Sequence, residues 1–150
     1  MRVRPELYRR HDSGSSVAAA SSRRERLDPM ETRVLESDVR PWGAWQVLDV
    51  GAGWKVKRLE IHPGKRLSYQ THDRRSEHWA VVTGTATCVL DGESVVLEAG
   101  DTVDVPVGTA HRICNLHDDH LVVIEVQRGD YLGEDDITRL DDDYGRHEAQ

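Results

Sequence analysis

From Arg33 onward the chain consists of short runs of apolar and β-branched residues, separated by Gly, Pro, Asp and Asn. Val, Leu, Ile, Thr and Trp dominate these runs, which is the composition that strands prefer. Asp91-Gly92 lies between two runs and is typical of a tight β-hairpin. Because no sustained helical period occurs before residue 134, the pattern predicts an all-β antiparallel sandwich or barrel, followed by a short helix over 134–144. The predicted strands are 45–49, 54–61, 66–71, 77–83, 86–91, 94–98, 102–105, 110–114 and 121–127.

Residues 1–32 show a different pattern. Positions 13–22 are rich in Ser, Ala and Gly, and an arginine cluster follows them. Such a segment has too little apolar surface to offset the conformational entropy that ordering removes. A secretory signal needs an apolar core of about 7–15 residues, and the longest candidate is Val17–Ala20. We therefore expect a disordered tail over 1–32 and one folded domain over 33–150, although the Arg and Ser content of the tail also fits a transit peptide.

Composition and charge narrow the function classes. A chain of 150 residues can build one domain with a substantial core, and its net charge of -7 argues against binding to nucleic acid or to an anionic membrane. No apolar run approaches the roughly 20 residues of a membrane-spanning helix. The two cysteines, Cys88 and Cys114, do not make a disulfide framework, which favours a reducing compartment. We therefore expect a cytoplasmic protein.

The densest set of chemically active side chains lies in the middle of the predicted domain. Gln70 and His72 are two residues apart on a predicted strand, so both side chains leave the same face of it. Glu77 begins the next predicted strand, and His111 lies on a later one. Imidazole and carboxylate groups are common zinc ligands, and an amide oxygen is a weaker hard donor. We therefore predict a divalent-metal site from these four residues and solvated loop positions for His62, His117 and His120.

The spacing of this set forms two motifs. They are Gly64-x5-Gln70-x-His72-x4-Glu77-x6-Gly84 and Gly100-x5-Pro106-x-Gly108-x2-His111-x3-Asn115. They resemble the two motifs of the cupin superfamily, except that the first ligand position usually holds His where this chain has Gln70. The resemblance implies a double-stranded β-helix (jelly-roll) barrel with a metal near its wider mouth. A Gln/His/Glu/His set resembles the zinc site of phosphomannose isomerases, so Zn²⁺ is the implied metal, which suits Lewis-acid isomerisation rather than redox chemistry.

The segments around these motifs narrow the resemblance. They include Arg40-Pro41-Trp42-Gly43 before the motifs, then Ile124-Glu125-Val126-Gln127 and Asp143-Tyr144-Gly145-Arg146 after them. Over residues 38–146 the chain resembles the type II mannose-6-phosphate isomerase domain, which in bifunctional relatives follows a mannose-1-phosphate guanylyltransferase. These 150 residues contain no glycine-rich nucleotide loop with a catalytic Lys, so no guanylyltransferase activity is expected from this chain.

The resemblance implies interconversion of mannose 6-phosphate and fructose 6-phosphate by proton transfer between C1 and C2 through a cis-enediol. Arginine suits the phosphate because its planar guanidinium is always charged. Arg66 and Arg75 are therefore the leading phosphate ligands, with Lys57 as a weaker candidate, and Arg75 is also counted as catalytic. The proton-transfer base is expected among His78, Glu134, Asp135 and Asp136.

Two other interpretations stay open from the sequence. One is a non-catalytic cupin that binds a sugar phosphate, as a sensor or an accessory subunit. The other is a different cupin enzyme, such as an iron dioxygenase or a sugar epimerase, which Gln70 and the flanking segments disfavour. The expected partners are a sugar phosphate and, because cupin edges commonly pair, a second copy of the chain. The implied context is GDP-mannose and polysaccharide biosynthesis.

Overall fold

A computed structural model describes residues 34–146, so the tail predicted over 1–32 lies outside the described residues. The described part contains eleven strands and no helix, and therefore no helix long and apolar enough to cross a membrane. The strands are β1 (Glu36–Arg40), β2 (Gly43–Gly51), β3 (Trp54–Ile61), β4 (Tyr69–Thr71), β5 (Arg75–Thr83), β6 (Thr85–Leu90), β7 (Glu93–Glu98), β8 (Thr102–Val105), β9 (His111–Cys114), β10 (Leu121–Gly129) and β11 (Thr138–Asp141).

The strands form two antiparallel sheets that share one core. The six-stranded sheet has the order β1-β2-β3-β10-β5-β8, and the five-stranded sheet has the order β11-β4-β9-β6-β7. Side chains from both sheets meet in a single apolar cluster, with Trp79 and Leu121 from the first sheet and Ile113 from the second. The predicted all-β antiparallel architecture is therefore confirmed.

The predicted strands compare closely with the observed ones. The predictions at 54–61 and 102–105 have the bounds of β3 and β8, and the others overlap observed strands with shifted ends. β1 was not predicted, because its sequence Glu-Ser-Asp-Val-Arg is exposed along most of its length and carries no apolar alternation. It forms because its backbone pairs with β2 from Glu36 to Arg40.

The short helix predicted over 134–144 is wrong. Thr138–Asp141 form β11, which pairs with β4 through Thr138 opposite Thr71 and Arg139 opposite Gln70. The acidic residues that suggested a helical segment are instead partners of distant or local arginines: Asp141 accepts from Arg112, Asp142 from Arg146 and Asp143 from Arg66. Aspartate is a poor helix former, and the extended backbone of β11 gains pairing with β4 that a helix would not make.

The interior of the barrel changes from apolar to polar along the strands. Inward side chains alternate with outward ones, as strand geometry requires. Val123 of β10 lies opposite Val81 and Leu59, whereas Glu125, two residues on, lies opposite Trp79 and Lys57. The next inward pair is Gln127 opposite Glu77. One end of the interior is therefore an apolar core, and the other end is lined by buried polar and charged groups.

Gly84, which closes the first sequence motif, has a structural requirement for glycine. Its φ is +85°, in the region that L side chains rarely adopt, and a Cβ there would lie 2.4 Å from the carbonyl oxygen of His120. The turn between β5 and β6 can thus approach the residues before β10 only without a side chain. This close approach helps to set the register of β5, which carries Glu77.

Candidate active site

Three of the four predicted metal ligands come together at the polar end of the barrel. His72 follows β4, Glu77 lies in β5, and His111 begins β9; all three are buried. One ligand atom from each lies within 4.8 Å of the others. His72 Nε2 is 3.1 Å from Glu77 Oε1, and His111 Nε2 is 3.6 Å from Glu77 Oε2. We call His72, Glu77 and His111 the metal-ligand group.

Hydrogen bonds on the outer side of each imidazole orient this group. His72 Nδ1 is 2.6 Å from the carbonyl oxygen of Asp136, and His111 Nδ1 is 2.8 Å from that of Thr109. A carbonyl can only accept, so each Nδ1 carries a proton, and each Nε2 is the ring nitrogen directed toward Glu77. Among the described residues, His111 Nε2 is buried without a hydrogen-bond partner. A buried, unpartnered lone pair beside a carboxylate is what a cation would satisfy.

The charge states of the metal-ligand group also fit a divalent cation. Burial lowers the pKa of His111, which favours the neutral imidazole that metals bind. Burial alone would raise the pKa of Glu77, but hydrogen bonds with His72 and Glu125 and the positive charge of Arg75 outweigh it and lower that pKa well below its usual range. Two imidazoles and one carboxylate form a donor set typical of zinc and related divalent metals. The residues present therefore fit the metal that the sequence motifs imply.

Two further side chains contact the carboxylate of Glu77. Arg75 Nε donates to Glu77 Oε1 at 3.0 Å, and its Nη2 lies 3.2 Å from His72 Nε2. The indole of Trp79 donates to Glu77 Oε2 at 3.0 Å and, at 3.2 Å, to Oε1 of Glu125. Burial, together with the nearby charge of Glu77, raises the pKa of Glu125 to about 8. The site thus contains one carboxylate that stays ionised and a second that carries a proton at neutral pH.

A cavity opens beside the metal-ligand group, and we call it the basic cavity. Arg75 and Gln70 belong to its wall, which joins it to the metal-ligand group. Trp42 and Trp45 form an aromatic part of the wall. Two carboxylates line it, those of Glu125 and Glu134. Its basic lining residues are Arg40, Lys57, Arg75, Arg139 and Arg146. A cavity with this excess of positive charge, in a chain whose net charge is -7, is suited to an anionic ligand.

The sequence of the folded part matches a family model described as mannose-6-phosphate isomerase C-terminal, over residues 28–142. The chain belongs to this family. Its relatives include the alginate biosynthesis protein AlgA of Pseudomonas aeruginosa, 46% identical over 107 residues, which are 71% of this chain and 22% of AlgA. Another is the mannose-1-phosphate guanylyltransferase of Escherichia coli, 42% identical over 116 residues, which are 77% of this chain and 24% of that protein. The chain therefore spans about a quarter of the length of these relatives.

Solved structures with the double-stranded β-helix fold align with this mannose-6-phosphate isomerase C-terminal domain. A conserved protein with a double-stranded β-helix domain from Klebsiella pneumoniae aligns with a TM-score of 0.58 and 20% identity, covering 65% of this chain and 83% of that one. A cupin-superfamily sugar phosphate isomerase from Silicibacter pomeroyi aligns with a TM-score of 0.50 and 21% identity, covering 56% and 59%. At these identities the likeness concerns the fold, and it confirms the predicted cupin double-stranded β-helix.

Gln70, the fourth predicted ligand, lies beside the metal-ligand group of this family member. It stands directly opposite His111 across the β4–β9 pair, so both side chains belong to the same sheet face. Its Oε1 accepts a hydrogen bond from Ser68 Oγ at 3.1 Å, and the side chain lines the basic cavity. The amide of Gln70 thus lies between the metal-ligand group and the basic cavity. Its role as a metal ligand stays a prediction.

Of the predicted phosphate ligands, Lys57 and Arg75 reach the basic cavity and Arg66 does not. Both Nε and Nη2 of Arg66 bind the carboxylate of Asp143, at 2.7 and 2.8 Å. Arg66 precedes β4 and bridges to Cys114 at the far end of β9 from His111. Arg66 therefore ties the C-terminal segment to the barrel, away from the basic cavity, and its assignment to the phosphate stays a prediction that this position does not support.

Of the four predicted bases, only Glu134 lines the basic cavity. His78 follows Glu77 in β5, so it faces outward, where its Nδ1 contacts Asp104 at 2.6 Å. Asp135 is exposed and accepts a hydrogen bond from the Tyr131 hydroxyl. The carboxylate of Asp136 accepts from the backbone N–H groups of Asp73 and Arg74, at 2.9 and 3.0 Å. His78 and Asp135 therefore lie at outer positions, away from the basic cavity, and this placement does not support a role for them as the base.

Glu134 reaches the cavity through Lys57, whose ammonium lies 2.8 Å from its carboxylate. Burial alone would raise the pKa of Glu134. The positive charges of Lys57 and Arg75 outweigh burial, so the pKa of Glu134 is below its ordinary value. The carboxylate is thus ionised at neutral pH and able to accept a proton.

Glu125 and Gln127 are buried polar residues beside the metal-ligand group that the sequence motifs do not mark. A signal was present, since both share the inward face of β10 with Leu121 and Val123, and polar residues on an otherwise apolar face indicate a buried polar site. The three loop histidines behave as predicted: His62, His117 and His120 are all exposed.

Proposed function

We propose that this domain is a metal-dependent aldose–ketose isomerase that interconverts mannose 6-phosphate and fructose 6-phosphate. The observation that carries the proposal is a buried His72–Glu77–His111 group whose hydrogen-bond partner Arg75 lines a cavity rich in basic side chains. The family match supports it, since the family is named for mannose-6-phosphate isomerase. Because relatives such as AlgA are alginate biosynthesis proteins, the product would feed GDP-mannose and polysaccharide biosynthesis.

The metal-ligand group, together with Gln70, would bind Zn²⁺. Bound there, the ion supplies Lewis-acid polarisation of the substrate oxygens at C1 and C2. Asp136 and Thr109 contribute by fixing the tautomers of the two imidazoles, through 2.6 and 2.8 Å contacts. Arg75 and Trp79 keep the Glu77 carboxylate ionised and oriented, because both donate hydrogen bonds to it.

Glu134 is the proposed proton carrier. In the aldose-to-ketose direction the proton leaves C2 and returns to C1, while the hydroxyl proton on O2 moves to O1, so atoms and charge balance. Lys57 orients the Glu134 carboxylate from 2.8 Å and favours its ionised form. Lys55 Nζ also donates to the Leu132 carbonyl at 2.9 Å, which attaches the same loop to β3. The loop after β10 is thereby held over the cavity, where it excludes water from the reacting carbons.

The test is a coupled assay that detects fructose 6-phosphate. Metal-free chain is reloaded with Zn²⁺ and supplied with mannose 6-phosphate, and glucose 6-phosphate, unphosphorylated mannose and unloaded protein are the controls. We expect turnover only with mannose 6-phosphate and only after metal loading. Binding of mannose 6-phosphate without turnover would replace the isomerase by a sugar-phosphate-binding cupin. We also propose that the protein is cytoplasmic and that it forms a homodimer. Sedimentation of the purified chain would test the homodimer.

A further inference from the structure

Two sequence segments around the cupin motifs contribute residues to the lining of the basic cavity, but the proposed function gives them no chemical role. They are Arg40-Pro41-Trp42-Gly43 at the end of β1 and Asp143-Tyr144-Gly145-Arg146 after β11. They lie about 100 residues apart in the chain, yet Arg40, Trp42 and Arg146 all line the basic cavity. Arg139, in β11, lines it as well. The fold therefore gathers three arginines from two distant segments around one opening.

The basic residues deeper in the cavity are already paired with carboxylates of the cavity or of the metal-ligand group. Lys57 pairs with Glu134 at 2.8 Å, and Arg75 pairs with Glu77 at 3.0 Å. By contrast, the partners of Arg40 and Arg146 are Asp38 and Asp142, which do not line the cavity. Arg40 and Arg146 therefore bring positive charge to the cavity while the carboxylates that pair with them lie outside its lining. Together with Arg139, which lines the same opening, we call these residues the arginine rim.

Arg40 and Arg146 are positioned by their carboxylate partners and still have N–H groups beyond those contacts. Asp142, whose side chain is fully buried, accepts from Nε and Nη2 of Arg146 at 3.2 and 2.8 Å. A guanidinium has five N–H donors, so these contacts leave others for a ligand. Arg139 Nη1 donates to the carbonyl of Arg146 at 3.3 Å, which links the two arginines. Arg40 is 35% exposed and Arg146 24%, so solvent and ligands reach both.

The strand register relates this rim to the metal-ligand group. Gln70 of β4 pairs with His111 of β9 on one side and with Arg139 of β11 on the other. Neighbouring strands lie roughly 4.8 Å apart, so the Cα atoms of Arg139 and His111 are on the order of 10 Å apart on the same sheet face. A hexose 6-phosphate carries its reacting carbons and its phosphate at opposite ends, and it fits this separation.

We propose that Arg40, Arg139 and Arg146 form the subsite for a dianionic phosphate monoester, with the phosphate at the rim and the reacting carbons of the sugar directed toward the metal-ligand group and Glu134. The proposal rests on the proposed function, because it assigns one end of the same substrate. Planar guanidinium groups bind phosphate oxygens through paired charge-assisted hydrogen bonds, which a lysine cannot reproduce. Trp42, beside Arg40, would contact the body of the sugar.

The experiment compares R40Q, R139Q and the double variant R40Q/R139Q with a matched control, R58Q. Arg58 lies in β3 on the outer face of the sheet, where it contacts Glu60, and it does not line the cavity. Calorimetric titrations with mannose 6-phosphate, inorganic phosphate and mannose use the zinc-loaded chain. We expect each single variant to weaken mannose 6-phosphate and phosphate binding about tenfold and the double variant about 100-fold, with mannose unaffected and R58Q within twofold of the wild type.

The outcomes separate this proposal from the proposed isomerase. If the wild type binds mannose 6-phosphate and the arginine variants bind it equally well, or if R58Q loses as much affinity, the rim is not the phosphate subsite, even when turnover is present. If the arginine variants lose affinity but the wild type never turns the sugar over, the subsite stands and the isomerase fails. If the wild type binds no phosphate ester, both the phosphate subsite and the isomerase proposal are overturned. Melting curves and zinc content accompany each variant, and the single variants decide the matter if the double variant does not fold.

Discussion

The Lys57 ammonium lies 2.8 Å from Oε1 of Glu134, a residue 77 positions further along the chain. The same ammonium stands over the ring of Trp45, 4.2 Å from its centre. Lys57 belongs to the inward face of β3, whereas Glu134 is in the loop after β10. This pair therefore brings an ionised carboxylate into a cavity that is otherwise basic, and it makes Glu134 the best-placed proton acceptor.

Replacing Glu134 by Gln should remove the base while keeping the shape of the side chain. We expect kcat for mannose 6-phosphate to fall by about 100- to 10,000-fold, the range for a lost general base, with zinc content unchanged. Asp135→Asn is the matched control, because Asp135 is exposed and contacts the Tyr131 hydroxyl. Steady-state kinetics of the two variants check this. Equal losses in both would mean that the loop acts structurally and not through the Glu134 carboxylate.

Replacing His111 by Ala should remove a metal ligand with little change in fold. His111 Nε2 is buried and directed at Glu77, so its loss leaves the site with two ligands of the metal-ligand group. We expect zinc affinity to fall by more than about 100-fold, beyond the 10–100-fold range seen for supporting residues. Competition with a chelator measures it. His120→Ala is the control, since His120 is 63% exposed, and a comparable zinc loss there would refute the metal-site assignment.

Replacing Arg75 by Gln should destabilise the metal-free domain. Arg75 and Glu77 are both buried, and the change leaves a buried carboxylate without its cationic partner. Breaking a buried ion pair in this way lowers the free energy of unfolding by about 3–5 kcal/mol. Urea unfolding in the presence of a chelator provides the measurement. The adjacent Arg74→Gln serves as control, because Arg74 pairs with Asp130 on the surface, and its urea midpoint should stay at the wild-type value.

The Asp142–Arg146 pair should make stability depend on acid pH. Burial raises the pKa of Asp142, but hydrogen bonds from Arg146 outweigh it and lower that pKa below its ordinary value. The carboxylate therefore stabilises the folded state above its unfolded pKa of about 3.9, and this contribution is lost as pH falls through the lower folded pKa. We expect Asp142→Asn to lower the free energy of unfolding by about 1.5–3 kcal/mol at pH 7.

The difference between Asp142→Asn and the wild type should narrow below about pH 4, as the wild-type carboxyl becomes protonated. Urea unfolding at a series of pH values follows this. The neighbouring Asp143→Asn is the control, since Asp143 pairs with Arg66 in an exposed position and should change the urea midpoint much less. A gap that stays constant down to pH 2.5 would contradict the pKa argument.

Much of this protein follows from local pattern. The apolar alternation of Trp54–Ile61 and Thr102–Val105 predicts both strands with their observed ends, because inward and outward parity is a property of each strand alone. The spacing of His72, Glu77 and His111 predicts their convergence, since the motif carries the turns as well as the ligands. These features are readable without knowing which strands become neighbours.

Tertiary structure decided which charged groups face one another. Arg66 and Arg139 look alike in sequence, yet Asp143 binds the first outside the cavity, and pairing of β11 with β4 brings the second to its rim. Ion pairs such as Lys57–Glu134 and Arg66–Asp143 join residues 77 positions apart, and side-chain pairing at that distance leaves no local periodic signal. The strand at 138–141 likewise depends on an unfilled edge of β4, so its extended form is a consequence of the assembled sheet.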